Sequence, residues 1–431
     1  MANGRHHRSA ESGLSTAAVS DPERVPDDAH RASTRPPSAR WVYNWAMIVI
    51  AGAGIGGLAL GCALRRAGRP FVIVERAPTL DPIGAGITLS PNALAALELL
   101  GIAAPVRAAG NEMAEGVICD RRGKVLLEIG SQNNPPVRIG QPPPRHNMGK
   151  TVGIARSNLQ QVMLDVVGDA VQTGREVTGF APHPGGVRVS FAQGDPIEGE
   201  LLVGADGLRS AVRRIQRGDE ALRYAGYTSW RALVDDVDLP APGRFSESWG
   251  PGSRFGIVPL GPRRVYWFAV ADAPAGQSDP EDPRPALRAR FAAWHAPIDR
   301  LIAATAPDRI FRADIFDRPP IDRWAQDGAV LLGDAAHPMT PNLGQGGCQA
   351  IEDAVVLADA LTREPTIAGA LGRYEAQRLG RANRFVVRSM QMGQLAHVRG
   401  RPLRWLRDHA LRMIPAKLAA RSLARELDFR V

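Results

Sequence analysis

Short apolar runs, each ending at a glycine or an acidic residue, recur along the first three quarters of the chain. Each run holds several consecutive apolar positions, a pattern typical of a strand buried on both faces. The polar turn after each run carries side chains that can bind a ligand at the strand end. The runs are residues 47–51, 71–74, 201–203 and 330–332.

The first run leads directly into Gly52-Ala-Gly54-Ile-Gly56-Gly57, and a helix and a second strand are predicted to follow. In such a βαβ unit, Gly52 makes the tight turn, Gly54 lets a pyrophosphate approach the backbone, and Gly57 allows close packing of helix on strand. Glu75, which ends the second strand, is placed to accept hydrogen bonds from ribose hydroxyls. The unit predicts a dinucleotide site without choosing NAD or FAD.

Residues 330–353 combine a buried strand, a turn and a helix. Asp334 ends the strand, where its carboxylate can accept hydrogen bonds from sugar-like hydroxyls. Pro341 interrupts regular structure across the turn, and Gly344 and Gly346 precede or open the helix. Because a helix N-terminus carries unpaired N–H groups and a partial positive charge, it attracts anions.

This stretch resembles the second flavin-binding motif of the class A flavin monooxygenases, the p-hydroxybenzoate hydroxylase family. The match comprises Gly333-Asp-Ala-Ala-His337, Pro341 and Gly344-Gln-Gly346. Asp206-Gly-x-x-Ser210-x-x-Arg213 and Arg156-x-x-Leu159 resemble two further motifs of the family, although the usual His before that Arg is Ala155 here. The chain is most similar to the compact salicylate hydroxylase, urate hydroxylase and zeaxanthin epoxidase branches.

The resemblance implies an α/β fold: a Rossmann-like FAD-binding domain with an inserted antiparallel sheet that binds substrate, and a C-terminal helix. The expected FAD-binding domain is discontinuous and comprises residues 47–115, 150–217 and 317–395. The substrate-binding sheet comprises 116–149 and 218–316, and 396–431 form a basic helical segment. Residues 1–46, which are polar and lack periodicity, are predicted to be a disordered tail.

The resemblance also implies the reaction. FAD would be bound tightly but non-covalently, and NADH or NADPH would visit transiently, because no second Gly-x-Gly-x-x-Gly is present. With O2, a flavin C4a-hydroperoxide would hydroxylate or epoxidise a small aromatic or polycyclic substrate. Two alternatives share the fold: a flavin reductase or desaturase that does not insert oxygen, and a non-catalytic flavin-binding protein. An NAD-dependent dehydrogenase would explain residues 47–75 only.

The residues expected to contact FAD follow from the motifs. Backbone N–H groups at 343–346 would face the flavin pyrimidine, and Pro341 would lie beside the reactive carbon. The full set is Gly52, Gly54, Ile55, Gly56, Gly57, Glu75, Arg76, Arg156, Asp206, Gly207, Gly333, Asp334, Pro341, Leu343, Gly344, Gln345 and Gly346.

Four residues are catalytic candidates: Pro341, His337, Arg231 and Tyr227. His337 belongs to the cofactor motif and is a weak candidate for a substrate base. Arg231 could anchor an anionic substrate or form a structural ion pair. Tyr227, like Tyr266, is a candidate for the pocket wall or for ordinary core.

Cysteine content and charge argue against a disulfide-rich, metal-binding or nucleic-acid-binding protein. The three cysteines are widely spaced, which predicts neither a disulfide framework nor a metal site and favours a reducing cytoplasm. The formal net charge is +9, but residues 396–431 hold nine Arg or Lys and three acidic residues, so no basic nucleic-acid surface is indicated. The substrate is the expected small-molecule partner, and the chain could be a monomer or a homodimer.

Three segments of the sequence are compatible with more than one structure. The uncharged residues 47–64 contain the glycine motif and are therefore assigned to the βαβ unit rather than to a membrane span. A Pro-rich loop after a hairpin in 116–150 is interpreted as an insertion. The last segment, 402–427, is predicted to be a basic amphipathic helix that caps the main domain, with weak binding to a membrane surface as the alternative. Its apolar positions are Leu403, Leu406, Ala410, Ile414, Leu418 and Leu427.

Overall fold

The structure, a computed structural model, describes residues 47–80, 85–130, 150–239 and 243–431. The predicted N-terminal tail and the Pro-rich loop lie outside the described residues.

The described residues contain strands of two to twelve residues and helices of six to thirty residues. The strands are β1 (Ile48–Ala51), β2 (Phe71–Val74), β3 (Gly86–Leu89), β4 (Asn111–Met113), β5 (Glu115–Asp120), β6 (Val125–Gly130), β7 (Thr151–Ala155), β8 (Val171–Gln172), β9 (Val177–His183), β10 (Gly186–Phe191), β11 (Ile197–Gly199), β12 (Leu201–Gly204), β13 (Arg223–Val234), β14 (Arg244–Gly250), β15 (Ser253–Pro259), β16 (Val265–Asp272), β17 (Phe311–Asp317), β18 (Ala325–Gln326) and β19 (Ala329–Leu331). The helices are α1 (Ile55–Arg66), α2 (Pro91–Leu100), α3 (Ala103–Ala108), α4 (Arg156–Val167), α5 (Ala211–Arg217), α6 (Arg284–Phe291), α7 (Ile298–Ala304), α8 (Gly346–Arg363), α9 (Ile367–Ala396), α10 (Arg401–Met413) and α11 (Ala416–Glu426).

The four apolar runs form the centre of one sheet, with strand order β18-β19-β12-β1-β2-β8. Strands β19, β12, β1, β2 and β8 run parallel, and β18 pairs antiparallel at the edge. Carboxyl ends of parallel strands meet at one edge of a sheet, which is where ligands bind in doubly wound folds. The glycines and acidic residues that follow the runs therefore come together at that edge.

A second, seven-stranded sheet has the order β17-β13-β16-β15-β14-β5-β6. Strands β15 and β16 pair antiparallel and form a hairpin around residues 260–264. One face packs Trp267 and Phe255 against Phe291 of α6, and all three side chains are buried. The opposite face is directed away from α6 and α7, because successive side chains in a strand alternate between faces.

The remaining segments form short helices, one further strand and two small sheets. Helix α6 ends at Phe291, and α7 begins directly after Pro297. Residues 311–317 form β17, which pairs antiparallel with β13. Two small antiparallel sheets, β3-β7-β4 and β11-β10-β9, complete the fold. The second of these was not predicted, since its strands lie in a segment where short apolar stretches alternate with glycines and charges.

The C-terminal segment differs from its prediction. It forms two helices, α10 and α11, separated at Pro415, and both pack against β6. Leu403, Leu406, Ile414 and Leu418, expected to hold the segment to the protein, are exposed. Among the described residues, no helix has the length and apolar character that crossing a membrane requires.

Candidate active site

A cleft of about 620 Å³ opens at the carboxyl edge of the parallel sheet. It contains residues from every motif of the first two thirds of the chain: Gly52, Gly54, Glu75, Arg76, Arg156, Asp206 and Gly207. These residues come from the ends of three strands and the start of α4, so only the folded chain brings them together.

The turn after β1 is built for close backbone approach. Gly52 has a φ of +105°, and a Cβ there would lie 2.6 Å from the carbonyl oxygen of Ala205. A Cβ on Gly57 would lie 1.9 Å from the Gly52 carbonyl oxygen, so α1 can pack this closely only with glycine. Gly54 differs from both, because a Cβ there meets nothing within 4 Å and would project into open space.

Glu75 closes the same turn from the neighbouring strand. Its Oε2 accepts a hydrogen bond from the Ala53 N–H at 2.8 Å, and its Oε1 accepts one from the Ala77 N–H at 3.0 Å. The carboxylate thus stabilises the glycine turn as well as lining the cleft. A carboxylate oxygen has two lone pairs, so each can still accept a ribose hydroxyl.

Asp206 carries an unused acceptor. Its Oδ2 accepts hydrogen bonds from the Ala211 and Val212 N–H groups at 2.7 and 3.2 Å, at the start of α5. Its Oδ1 is buried without a hydrogen-bond partner. Burial raises the pKa of this carboxyl, although the hydrogen bonds from Ser210 and the α5 backbone act in the opposite direction. Because buried polar groups are normally hydrogen-bonded, this oxygen at the cleft wall is available to a donor on a ligand.

Asp334 lies in the 3-10 turn Gly333–Ala335 that follows β19, and its side chain forms no hydrogen bond within the described part of the chain. Its side chain is accessible to solvent, yet the surrounding protein displaces enough water to raise the pKa of its carboxyl. The positive potential of His337 and Arg156 opposes that rise. Burial lowers the pKa of Arg156, and the negative charge of Asp334 offsets only part of that lowering. Asp334 and Arg156 are therefore close enough for each to affect the pKa of the other.

The loop before α8 has the predicted form. Residues Pro341–Leu343 make one 3-10 turn, Gly344 has a φ of +64°, and the helix begins at Gly346. The Gln345 side chain is buried and hydrogen-bonded to Asn92 and Ser90, so it fixes the loop rather than facing a ligand.

Several predicted cofactor residues do not line the 620 Å³ cleft. Ile55, Gly56 and Gly57 form the first turn of α1, where Gly56 packs against the Leu332 side chain. Gly333, Asp334, Pro341, Leu343, Gly344, Gln345 and Gly346 belong to the segment from the end of β19 to the start of α8. Their direct contact with a cofactor stays a prediction.

His337 is fully buried behind this segment. Its Nε2 lies 2.6 Å from Asp353 Oδ2, which also accepts the Gly333 N–H, while Arg378 donates to Oδ1 at 2.7 Å. Burial raises the pKa of Asp353, but His337 and Arg378 outweigh it and lower the pKa to about 2. The geometry therefore places His337 in the scaffold of the turn, away from a position from which it could take a proton from substrate.

Arg231 and Tyr227 lie on the face of the second sheet opposite α6 and α7. Arg231 is half-buried, and its side chain forms no ion pair within the described residues. The one hydrogen bond of that side chain there is a 3.4 Å contact from Nε to Ser229 Oγ. Burial raises the pKa of Tyr266, and the charge of Arg231 opposes that rise. Burial lowers the pKa of Arg156, and the charge of Arg231 adds to that lowering. The structural ion pair considered from the sequence is thus not found there.

Tyr227 belongs to a buried polar cluster that sequence reasoning missed. Asn342, next to Pro341, donates to Tyr227 Oη at 2.9 Å and accepts from Arg254 Nη2 at 2.6 Å. Arg254 Nε donates to His397 Nε2 at 3.0 Å, and His397 Nδ1 lies 2.5 Å from Asp272 Oδ1. The cluster joins the loop before α8 to the second sheet and to the end of α9. Members so distant in sequence share no motif, so no local pattern could have revealed it.

These features fit an FAD molecule. The cleft offers an open approach to the backbone at Gly54, an acceptor without a partner at Asp206 and the carboxylate of Glu75. Asp334 lies outside the cleft lining, but its charge raises the pKa of Arg156 in the cleft wall against the lowering by burial.

Comparisons with known proteins agree with the geometry. A family model described as an FAD binding domain matches residues 46–389. The chain is 47% identical to the aurachin C monooxygenase/isomerase of Stigmatella aurantiaca over 385 residues, covering 89% of this chain and 98% of that protein. It is 35% identical to the FAD-dependent urate hydroxylase of Klebsiella oxytoca, covering 81% and 90%. The structure of Klebsiella pneumoniae HpxO complexed with FAD and uric acid is similar, with a TM-score of 0.79 and 31% identity over 88% of this chain and 96% of that one.

Proposed function

This chain belongs to the FAD-binding domain family and is a class A flavin monooxygenase, and from that premise we propose how its own residues hold cofactor and substrate. The enzyme uses FAD, NAD(P)H and O2 to hydroxylate or epoxidise an aromatic or polycyclic substrate. The substrate lies between the Arg156–Asp334 end of the cleft and the inner face of the seven-stranded sheet. Arg231 anchors it there.

Different residues in and near the cleft bind different parts of the cofactor. Gly54 lets the pyrophosphate reach the backbone at the start of α1, Glu75 binds the adenosine ribose, and Asp206 Oδ1 accepts a donor near the pyrophosphate. Asp334 accepts hydroxyls of the ribityl chain. Bound FAD supplies hydride acceptance and oxygen activation, which no side chain of the protein provides.

The loop before α8 holds the reactive end of the cofactor. Backbone N–H groups at 343–346 stabilise negative charge on the flavin pyrimidine, by roughly 0.3–2 kcal/mol for a helix terminus. Pro341 has no N–H and so donates no hydrogen bond at its position. Asn342, held by Arg254 and Tyr227, keeps the loop in place.

The substrate proposal rests on one observation, the half-buried Arg231 without an acidic partner among the described residues. Leaving a desolvated cation unpaired is costly, and such a group is commonly paired by a ligand. Tyr266 and Phe268 lie close on the neighbouring strand, where Phe268 is in register with Arg231. An aromatic substrate with a carbonyl, phenolate or carboxylate oxygen fits this combination of ring faces and a cation.

Substrate-stimulated NAD(P)H oxidation tests the proposal. Aurachin C and urate, which the names of two relatives indicate, are the first compounds to assay, followed by other aromatic carbonyl compounds and phenols. Arg231→Gln should raise KM about tenfold or more, since a charge-assisted hydrogen bond contributes about 1.5–3 kcal/mol. Arg263→Gln, at the exposed β15–β16 turn, is the control and should leave KM unchanged. An unchanged KM in Arg231→Gln would show that Arg231 does not anchor the substrate.

Product analysis distinguishes oxygen insertion from the reductase and desaturase activities. Incorporation of one atom of labelled O2 into product identifies oxygen insertion, whereas anaerobic turnover of substrate would identify a reductase or desaturase. We propose NADPH or NADH as a transient co-substrate and the cytoplasm as the compartment. The buried, unpaired thiols of Cys62, Cys119 and Cys348 support a reducing environment.

A further inference from the structure

The outer face of α10 is apolar, which is the reverse of an ordinary surface helix. Leu403, Leu406, Ala410 and Met413 recur every three or four residues and therefore form one stripe. Leu403 is 62% exposed, Leu406 59% and Met413 80%, so the stripe points away from the protein. Trp405 is exposed beside it. We call these five residues the α10 stripe.

The buried side of α10, which adjoins the stripe, fixes this orientation. Arg407 is buried, its Nη1 donates to the Ala396 carbonyl oxygen at 2.9 Å, and its guanidinium lies 5.2 Å from the centre of the Trp249 ring. Leu411 is buried on the same side. Rotating the helix to hide the stripe would expose Leu411 and break the Arg407 contacts, so the apolar face stays outward.

Helix α11 extends the surface with positive charge. It is held to Ile129 of β6 by Ala420 and Ala424, while Leu418 is exposed. Four exposed basic side chains on the two helices form no ion pair within the described residues. They are Arg401, Lys417, Arg421 and Arg425.

An apolar stripe beside unpaired cations matches one type of surface, a lipid bilayer with anionic headgroups. Leu, Met and Trp enter the boundary between headgroups and acyl chains, and Arg and Lys bind the phosphates. A second copy of this chain fits less well, because a symmetric contact would bring two strongly basic segments together. We propose that the α10 stripe and the four cations dock the enzyme peripherally on an anionic membrane surface.

Co-sedimentation of the FAD-loaded full chain with vesicles tests the proposal. Binding is expected to vesicles of phosphatidylcholine mixed with phosphatidylglycerol, weakly or not at all to phosphatidylcholine alone, and less at high salt, which screens the cations. No binding to either vesicle, or equal binding to both at all salt concentrations, would overturn the proposal.

Two variants assign the binding to this surface. Leu403→Ser/Leu406→Ser/Met413→Ser should weaken vesicle binding by about tenfold or more, because each buried methylene group adds to membrane affinity. Leu99→Ser, at an exposed apolar position on α2, is the matched control and should bind as wild type. NAD(P)H oxidation in solution should be the same in all three proteins. Unchanged vesicle binding by the triple variant, or a dimer that this variant abolishes in the absence of vesicle binding, would refute membrane docking.

Discussion

Replacing Asp334 by alanine tests the proposed role of its carboxylate in binding FAD. The carboxylate forms no hydrogen bond within the described chain, and the protein around it raises its pKa. Its removal should therefore leave the apoprotein as stable as wild type or slightly more stable. A hydrogen bond to a charged acceptor contributes about 1.5–3 kcal/mol, so FAD affinity should fall roughly 10- to 150-fold.

Asp353 provides the contrast, since it lies on the same motif but is fully engaged. It accepts from the Gly333 N–H and from Arg378, and it binds His337. Asp353→Asn should destabilise the fold by about 3 kcal/mol, because breaking a buried ion pair costs about 3–5 kcal/mol and Arg378 keeps Glu352 as a second partner.

Two measurements separate the two acids. Titration of apoprotein with FAD, followed by flavin fluorescence, gives the dissociation constant, and urea unfolding of the apoprotein gives the free energy of unfolding. Wild-type FAD affinity in Asp334→Ala would refute the role of Asp334. A large loss of apoprotein stability in that variant would show that its carboxylate is structural instead.

Three further predictions follow from the same geometry. Gly54→Val should fold as wild type but lose the yellow cofactor on gel filtration, whereas Gly57→Ala should fail to fold stably, since only the second Cβ meets backbone; retained cofactor in Gly54→Val would contradict the first half. Arg231→Lys should recover part of the KM lost in Arg231→Gln, as seen in initial-rate kinetics, because the charge remains while the planar fork is lost; equal KM values for the two variants would rule out charge as the basis of anchoring. Burial lowers the pKa of His397 below 6.5, with Asp272 opposing that shift and Arg254 reinforcing it. The neutral ring therefore stabilises the fold above about pH 6.5, and that stability should be lost as the pH falls below it. The thermal midpoint of wild type should drop more steeply between about pH 6.5 and 5 than that of His397→Gln; parallel curves would exclude His397 as the source.

The cofactor half of the site was predictable because its residues sit in short contiguous motifs. Gly52, Gly54 and Glu75 follow from the steric needs of a strand–turn–helix unit, and β1, α1 and β2 occur where the apolar runs predicted them. The start of α8 at Gly346 likewise follows from local glycine and proline chemistry. Membership of the flavin monooxygenases was identified from these motifs and is confirmed by the comparisons.

The environment of each side chain was not predictable in the same way. His337 and Asp334 are three residues apart in one motif, yet His337 is enclosed in a buried ion-pair network, whereas the Asp334 side chain is exposed and forms no hydrogen bond within the described residues. The cluster of Asn342, Arg254 and His397 requires a loop, a strand and a helix end to meet.

What the sequence determines by itself is therefore the backbone: which residues form strands and turns, and where a dinucleotide can approach, because those properties depend on neighbours within a few positions. Tertiary structure alone decides which polar groups are paired, which remain available and which faces point outward. The α10 helix illustrates the division. Its amphipathic period is local and was predicted, but the face that packs inward is set by tertiary contacts of Arg407 with the end of α9, at the Ala396 carbonyl, and with Trp249 from a distant strand.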